Sequence, residues 1–315
     1  MDYRKLISFG KSSFVISLPK PWLVKNDLKK GCVIYINEEG NDLKLSPNTE
    51  SDDSEEKEIT IDVTDKQERD IRREIVTSYI GDYKSVVIVG KDLQTKAVYI
   101  NNMLQELMAM EIMEQTSTKI IARDFLDIKN ISIPNIVRKM DIITRAMITD
   151  SKQIFEPEME QNIRHRDSDV NRMKYLVLKV LRRALKSSSV AKTIKMHPLQ
   201  IHNTMWIANC IEMIADQSKR IASVLSKIKP NAVLKKDIAN LYSSIEAFYV
   251  DSIKAYYEGS AEKAFDAATL RSDLNQKCGQ FHRKHEKNVE LCKVSEKFLT
   301  MISSINEIGR VVYTP

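Results

Sequence analysis

Residues 13–19 read Ser-Phe-Val-Ile-Ser-Leu-Pro, and large apolar side chains occupy every second position of this stretch. That period of two is typical of a β-strand, which the proline then ends. Residues 22–26, after Pro21, predict a short helix, and residues 32–36 predict a further strand. Leu43 and Leu45 alternate again beyond a polar turn. The predicted order is therefore strand, strand, short helix, strand, strand.

This strand-rich segment carries most of the positive charge of the chain. Between positions 4 and 30 it holds seven Lys and Arg residues, opposed up to position 30 by Asp2 and Asp27, while the whole chain has a net charge of +6. A surface of this kind can contact the phosphates of nucleic acid, with an affinity that falls as salt rises. The seven cations are Arg4, Lys5, Lys11, Lys20, Lys25, Lys29 and Lys30.

Overall composition narrows the class of protein. Hydrophobic residues make up 43% and charged residues 29% of 315 positions, which is ordinary for a soluble globular chain. Its apolar runs are too short to cross a bilayer, and the N-terminus lacks the apolar core of a secretory signal. Four cysteines do not make a disulfide framework, so we expect a cytoplasmic protein without membrane insertion. No nucleophile–base arrangement and no glycine-rich phosphate loop occurs, which argues against an enzyme.

The chain divides into five parts. An acidic linker at residues 48–57 follows the basic module of residues 1–47. Residues 58–130 alternate strand and helix patterns, which predicts a small α/β domain with a capping box at Asp65–Glu68 and a second helix reaching Glu111. From there apolar residues recur at helical spacing, which predicts two helical repeats at residues 131–230 and 231–315.

Three sequence matches indicate that the helical part repeats itself at an offset of about one hundred residues. Residues 149–155 parallel residues 250–256, and residues 211–216 parallel residues 305–310. The third match joins Ser-Asp-Val-Asn, which starts at Ser168, to Ser-Asp-Leu-Asn, which starts at Ser272. Because the three matches keep their order, they indicate two related three-helix bundles.

Carboxylate and amide side chains four residues apart mark the first repeat. Asp167 with Asn171, and Glu212 with Asp216, each share one face of a helix, where oxygen ligands can bind a hard or borderline metal. A solvated helix edge is the simpler interpretation of the same spacing, and we favour it on the sequence alone. The second repeat lacks such pairs, because its equivalent positions are Arg271, Asn275, Asn306 and Arg310.

A second group of possible metal ligands lies near the C-terminus. Cys278, His282 and His285 share a helical face, and Cys292 follows two turns later. The spacing is unlike the common structural zinc patterns, so we expect core and surface roles for these residues.

The N-terminal module resembles the AbrB/SpoVT/MazE-type swapped-hairpin DNA-binding domain. The resemblance rests on Arg4-Lys-Leu, on Gly10-Lys-Ser, on Val15-Ile-Ser-Leu-Pro-Lys20 with Trp22, and on Leu28-Lys-Lys-Gly31. In that family two chains interleave their hairpins into one barrel and basic residues face DNA, which implies a homodimer formed through this module. The DNA contacts that the resemblance implies here are Arg4, Lys5, Lys11, Ser12 and Lys20.

The helical part looks like PhoU, the phosphate-uptake regulator, through Arg166-Asp-Ser-Asp-Val-Asn-Arg172 and Ile211-Glu-Met-Ile-Ala-Asp216. PhoU proteins bind iron or zinc clusters through acidic pairs, so the resemblance implies a metal site at Asp167, Glu212 and Asp216 in the first repeat. The combined order resembles archaeal PhoU-type regulators. The expected fold is mixed: a small all-β swapped-hairpin domain, a small α/β domain, then mostly α-helix.

We therefore expect a DNA-binding transcriptional regulator of phosphate uptake and phosphate homeostasis that is not an enzyme. One alternative is a PhoU-type adaptor without DNA binding, which restrains a phosphate transporter ATPase or a sensor kinase. A second alternative is a metal-binding helical-bundle sensor.

Overall fold

A computed structural model describes residues 3–11, 13–39, 42–47 and 57–313. The chain divides into two compact units, Met1–Ser54 and Glu55–Pro315.

The N-terminal unit consists of two separate antiparallel hairpins with a short helix between them. Its elements are β1 (Ile7–Phe9), β2 (Ser13–Val15), α1 (Lys20–Lys25), β3 (Tyr35–Glu39) and β4 (Asp42–Ser46). Gly10 turns the first hairpin with a φ of +72°, a conformation that costs glycine little. The element order is the predicted one.

The strand bounds in this unit differ from the sequence prediction. The predicted strand at 32–36 begins at Tyr35 instead, because the backbone N–H of Cys32 donates to Lys29 O and closes a turn there. β2 ends at Val15, well before Pro19. The alternation of apolar and polar residues therefore predicted where these strands lie, but it did not predict the residues at which they begin and end.

None of the described side chains of the N-terminal unit is buried within the chain. Tyr3 is 83% exposed, and Phe9 and Phe14 are each 69% exposed. Large apolar side chains of both hairpins share this exposure, namely Leu6, Ile7, Val15, Ile16, Val33, Tyr35, Ile36 and Leu43. A single copy of this unit therefore leaves its apolar surface in water, which costs roughly 25 cal/mol for each Å².

A four-stranded sheet with two helices follows. Its elements are β5 (Glu58–Asp62), α2 (Glu68–Ile80), β6 (Ser85–Val89), α3 (Leu93–Gln105), β7 (Met110–Gln115) and β8 (Lys119–Asp124). The strand order is β5-β6-β8-β7, with β5 and β6 parallel and the other pairs antiparallel. Ile61, Ile75, Val86 and Ile120 belong to its buried core.

Two sequence predictions fail in this domain. The second helix ends at Gln105 and Glu111 lies in β7, because the chain turns at Ala109 with a φ of +63°. The capping box is also absent: Asp65 has a φ of +57°, and the N-cap of α2 is Gln67, which makes no side-chain cap.

The remainder is a helical bundle, as predicted. Its helices are α4 (Ile133–Asp150), α5 (Met159–Lys186), α6 (Ser188–Thr193), α7 (Pro198–Leu225), α8 (Ala232–Glu258), α9 (Ala261–Lys284) and α10 (Val289–Tyr313). Pro157, Pro198 and Pro230 lie at or next to helix ends. Across the described residues, no helix is both long and apolar enough to cross a membrane.

The long helices form two groups of three around one continuous core. α4, α5 and α7 pack together, as do α8, α9 and α10. Contacts of α7 with α10 and of α4 with α8 join the groups. Helical seam residues such as Val170, Val177, Ile211 and Ile214 are fully buried in this core.

Candidate functional site

The predicted DNA-contacting residues lie on the surface of the N-terminal unit. Lys5 and Lys11 flank β1, and Lys20 is the first residue of α1; all three are exposed. Arg4 is also exposed, and its Nη1 donates to Tyr3 O at 3.0 Å. Ser12 lies outside the described residues. Lys5 and Lys11 thus belong to one hairpin, and Lys20 follows it.

The acidic pairs of the first repeat face lysine side chains. Lys219 Nζ on α7 lies 2.7 Å from Asp167 Oδ2 on α5 and 2.9 Å from Asp216 Oδ1. Arg220 Nε lies 2.5 Å from Asp216 Oδ2, and Asn171 Nδ2 lies 3.1 Å from Asp167 Oδ2. One ammonium thus joins carboxylates of two helices.

Burial and hydrogen bonding shift the pKa values of Asp167 and Lys219. Burial raises the pKa of Asp167 above its usual value, although the hydrogen bond from Lys219 opposes the rise. For Lys219 burial alone would lower the pKa, but hydrogen bonds to Asp167 and Asp216 outweigh it and raise the pKa. The ammonium form of Lys219 is therefore held firmly by the two carboxylates.

Glu212 has a lysine partner of its own. Lys174 Nζ on α5 lies 2.7 Å from Glu212 Oε2, and both side chains are mostly buried. Within the described ranges, no three His, Cys, Asp or Glu side chains converge as a metal site. The metal that the PhoU resemblance implies matches this arrangement poorly, because a lysine ammonium group lies within 2.9 Å of each of the carboxylates of Asp167, Glu212 and Asp216.

The equivalent helices of the second repeat have different contacts. Arg310 Nη1 on α10 lies 2.9 Å from Glu307 Oε1, and Asn306 is 6% exposed. Arg271 and Asn275 lie on the exposed side of α9.

Cys278 and His282, two of the remaining candidate ligands, have ordinary structural roles. Cys278 is fully buried in the core, and His282 Nδ1 lies 2.8 Å from Ser295 Oγ.

A buried ionic cluster that the sequence did not predict joins the sheet domain to α5. Lys179 is 1% exposed, and its Nζ lies 2.9 Å from Asp124 Oδ2 at the end of β8. Arg183 Nε lies 3.4 Å from Asp82 Oδ2, and Lys84 Nζ lies 3.3 Å from Asp124. Lys179 Nζ also lies 4.3 Å from the centroid of the Tyr79 ring. Burial lowers the pKa of Lys179, against the effect of Asp124.

The same helix α5 therefore carries both ionic sites. Asp167 and Lys174 face α7, while Lys179 and Arg183 contact the sheet domain. Arg172, between them, donates from Nε to Glu106 O at 3.1 Å.

Further polar contacts lie within α4 and between its C-terminal end and α8. Asp141 is fully buried, and both of its oxygens lie 3.1 Å from Arg145 Nη2. Lys152 and Thr149 both bond to Glu246 on α8. The i, i+4 spacing of Asp141 and Arg145 was the available sequence signal.

Comparison with known proteins concerns the helical part. Residues 137–225 match the family model described as the PhoU domain. The chain is also similar to the crystal structure of PhoU from Pseudomonas aeruginosa, with 11% sequence identity, 57% of this chain and 90% of that chain covered, and a TM-score of 0.38. No curated protein matches the chain. The residues matched by the family model run from α4 to the end of α7 and include both lysine–carboxylate contacts.

Proposed function

We propose that the protein regulates phosphate homeostasis as a DNA-binding transcriptional regulator. The observation that carries the first part is the PhoU-domain match over residues 137–225, because PhoU proteins regulate phosphate uptake. In this proposal the helical body receives the signal or docks a partner, and the N-terminal unit binds DNA.

Charge and exposure support the DNA-binding role of the N-terminal unit. Lys5, Lys11 and Lys20 are exposed on a segment with few acidic residues. Such side chains position a protein on phosphates and add a salt-dependent affinity. Arg4 and Ser12 complete the proposed contact set.

The exposed apolar surface supports homodimerisation through the same unit. Phe9, Phe14 and Ile36 are each more than half exposed, and none of the described residues around them is buried. A second copy of the unit would cover this surface, as in the swapped-hairpin domains that the sequence resembles. DNA binding then depends on dimer formation.

A salt-titrated gel-shift assay with DNA from upstream of its own gene tests the proposal. The test variant is K5Q/K11Q/K20Q, and the control variant is K129Q/K139Q/K254Q, which removes three exposed lysines from the helical body. We expect the test variant to bind more weakly, with a salt slope lower by about one for each lost phosphate contact. The control should match the wild type.

Two results would reject the DNA-binding part. One is an absence of any shift at low salt; the other is an equal loss of binding in the test and control variants. Genome-wide occupancy with and without phosphate limitation then tests whether the bound sites belong to phosphate uptake.

A PhoU-type adaptor is the second candidate, and the same domain match favours it. It would restrain a phosphate transporter ATPase or a sensor kinase through the helical body, with the N-terminal unit serving only to dimerise. Co-purification with such a partner, together with no DNA affinity, is the outcome that selects the adaptor. Two ion pairs argue against the metal-sensor alternative, because Lys174 and Lys219 neutralise the candidate ligands Glu212 and Asp167.

A further inference from the structure

Positive charge is concentrated at one pole of the helical bundle, where the α7–α8 and α9–α10 connections meet. Residues 226–237 and 281–288 contain seven Lys and Arg residues against Asp237 and Glu286. The chain outside these segments and the N-terminal module holds more acidic than basic residues. The charge of this pole is therefore a local feature.

A cavity of about 510 Å³ opens at this pole. Four cationic side chains from both connections line it, against one carboxylate, Glu286. The four are Lys229, Arg283, Lys284 and Lys287, and the wall also includes His285, Asn231 and Asn288. Clefts lined by one sign of charge concentrate counter-ions, so this cavity attracts anions.

Most of these cations are not neutralised by the protein. Lys284 Nζ lies 2.6 Å from Asp237 Oδ2, and His285 Nε2 lies 3.5 Å from the same oxygen. Within the described part of the chain, Lys229, Arg283 and Lys287 have no ion-pair partner. Three like charges that converge on one cavity repel each other until an anion enters.

The opposite pole of the bundle shows that this charge is not a general property of the helix connections. A larger cavity there, of about 780 Å³, is lined mainly by apolar, hydroxyl and amide side chains and has one cation, Lys195, in its wall. The cavity at the opposite pole thus lacks the cationic lining of the cavity between the α7–α8 and α9–α10 connections.

A second cavity, of about 540 Å³, lies between α8 and α9 and shares Lys284 with the first. Its lining adds one cation, Lys277, and one carboxylate, Asp237. Lys277 Nζ lies 2.7 Å from Asp273 and 3.4 Å from Ser244 Oγ. The unpaired cations all lie in the first cavity, and three of them in one place suit an anion with several charges better than a single phosphate ion.

We propose that Lys229, Arg283, Lys284 and Lys287 form a binding site for an anion that carries a chain of phosphate groups. Arg and Lys are the usual protein partners of phosphate oxygens. In this proposal the phosphate chain of the ligand, and not a nucleobase, provides recognition, because Phe281 of the neighbouring cavity is 4% exposed and unavailable for stacking. The site goes beyond the proposed DNA binding and lies in the other compact unit.

Isothermal titration of the full-length protein at low ionic strength tests this site. Phosphate, pyrophosphate, tripolyphosphate and ATP are titrated into the wild type, the pole variant K229Q/R283Q/K287Q and the control variant K129Q/K139Q/K254Q. We expect affinity to rise with the number of phosphates and to fall about tenfold or more in the pole variant only. Because the three substituted side chains are exposed, thermal unfolding should show that the pole variant folds as the wild type does.

Several outcomes would overturn the site. They are a lack of binding by every phosphate compound, equal losses in the pole and control variants, and binding that is lost in K5Q/K11Q/K20Q instead. Binding of ATP about tenfold more tightly than tripolyphosphate would refute recognition through the phosphate chain alone. DNA binding by the pole variant should stay at the wild-type level, which separates this site from the N-terminal unit.

Discussion

Lys219 Nζ on α7 lies 2.7 Å from Asp167 Oδ2 on α5, so the two helices are joined by a partly buried ion pair. Asp216, one turn before Lys219, completes the contact at 2.9 Å. Two neighbouring carboxylates, such as Asp167 on α5 and Asp216 on α7, repel each other unless a cation lies between them. In this bundle the cation is a side chain of the protein.

Lys219→Met should destabilise the protein by about 2 kcal/mol, because it leaves two mostly buried carboxylates without their ammonium partner. Urea unfolding at neutral pH measures the loss. Since the folded protein raises the pKa of Lys219 above 10.5, its contribution is complete below that pH and disappears as pH rises through the raised pKa. Wild type and variant should therefore converge at strongly alkaline pH. A difference that persisted there would contradict this assignment.

The lysine contacts also predict that the first repeat is stable without metal. Elemental analysis of the purified protein should find no stoichiometric iron or zinc, and a chelator should leave Tm unchanged. Metal present at about one equivalent in the wild type, and lost in D167N/D216N, would show that a metal ion displaces Lys219 in solution.

The sequence predicted helices well and their mutual contacts poorly. Seams such as Val170, Val177 and Ile211 repeat at helical spacing, which is a local pattern that survives folding. The partner of Asp167, by contrast, lies 52 positions away on another helix. Only the packing register of α5 against α7 brings Lys219 to that carboxylate. The acidic pairs were therefore visible in the sequence, whereas their neutralisation by lysine was not.

The same limit explains the error at β7. The apolar residues from 100 to 107 recur at helical spacing, and the sequence prediction extended that helix to Glu111. In the structure Met110 pairs with Asp124, so the residues from Met110 onward belong to a strand of the sheet. Lys179 was missed for a related reason, because a lysine in a helical pattern normally faces solvent. Its burial depends on Asp124, which reaches it from the sheet domain.

Lys179→Met should lower the free energy of unfolding by about 3 kcal/mol, since it removes the nearer ionic partner of the buried Asp124, whose contact with Lys84 is longer, at 3.3 Å. The double variant K179M/D124N should lose less than the sum of the two single variants, because neither charge is then left alone. Chemical denaturation of the wild type, the two single variants and the double variant gives the coupling energy. If the losses in unfolding free energy were additive, the ion pair between Lys179 and Asp124 would not stabilise the contact of α5 with the sheet domain.

Gly90→Ala should destabilise the sheet domain. Gly90 has a φ of +150°, and an added Cβ would lie 2.9 Å from Val63 Cγ2 and 3.0 Å from Thr64 N. Both the backbone strain and the close contact destabilise the alanine variant, so we expect its free energy of unfolding to fall by about 2 kcal/mol or more. Gly279→Ala is the matched control: its Cβ would meet no heavy atom closer than 3.8 Å, and alanine favours the helix by roughly 0.5–1 kcal/mol. Thermal unfolding should show Tm moving in opposite directions for the two variants.

The four cysteines should differ sharply in reactivity. Burial raises the pKa of both Cys210 and Cys278 to about 12, so neither forms a thiolate at neutral pH, and both are enclosed in the helical core. Cys32 is exposed and Cys292 is partly buried. Iodoacetamide should therefore modify Cys32 first and Cys292 more slowly, because Cys32 is the more exposed of the two. Cys210 and Cys278 should react only after denaturation, as peptide mass spectrometry of native and unfolded samples would show. Modification of Cys278 in the native protein at the rate of Cys292 would mean that α9 opens readily from the bundle.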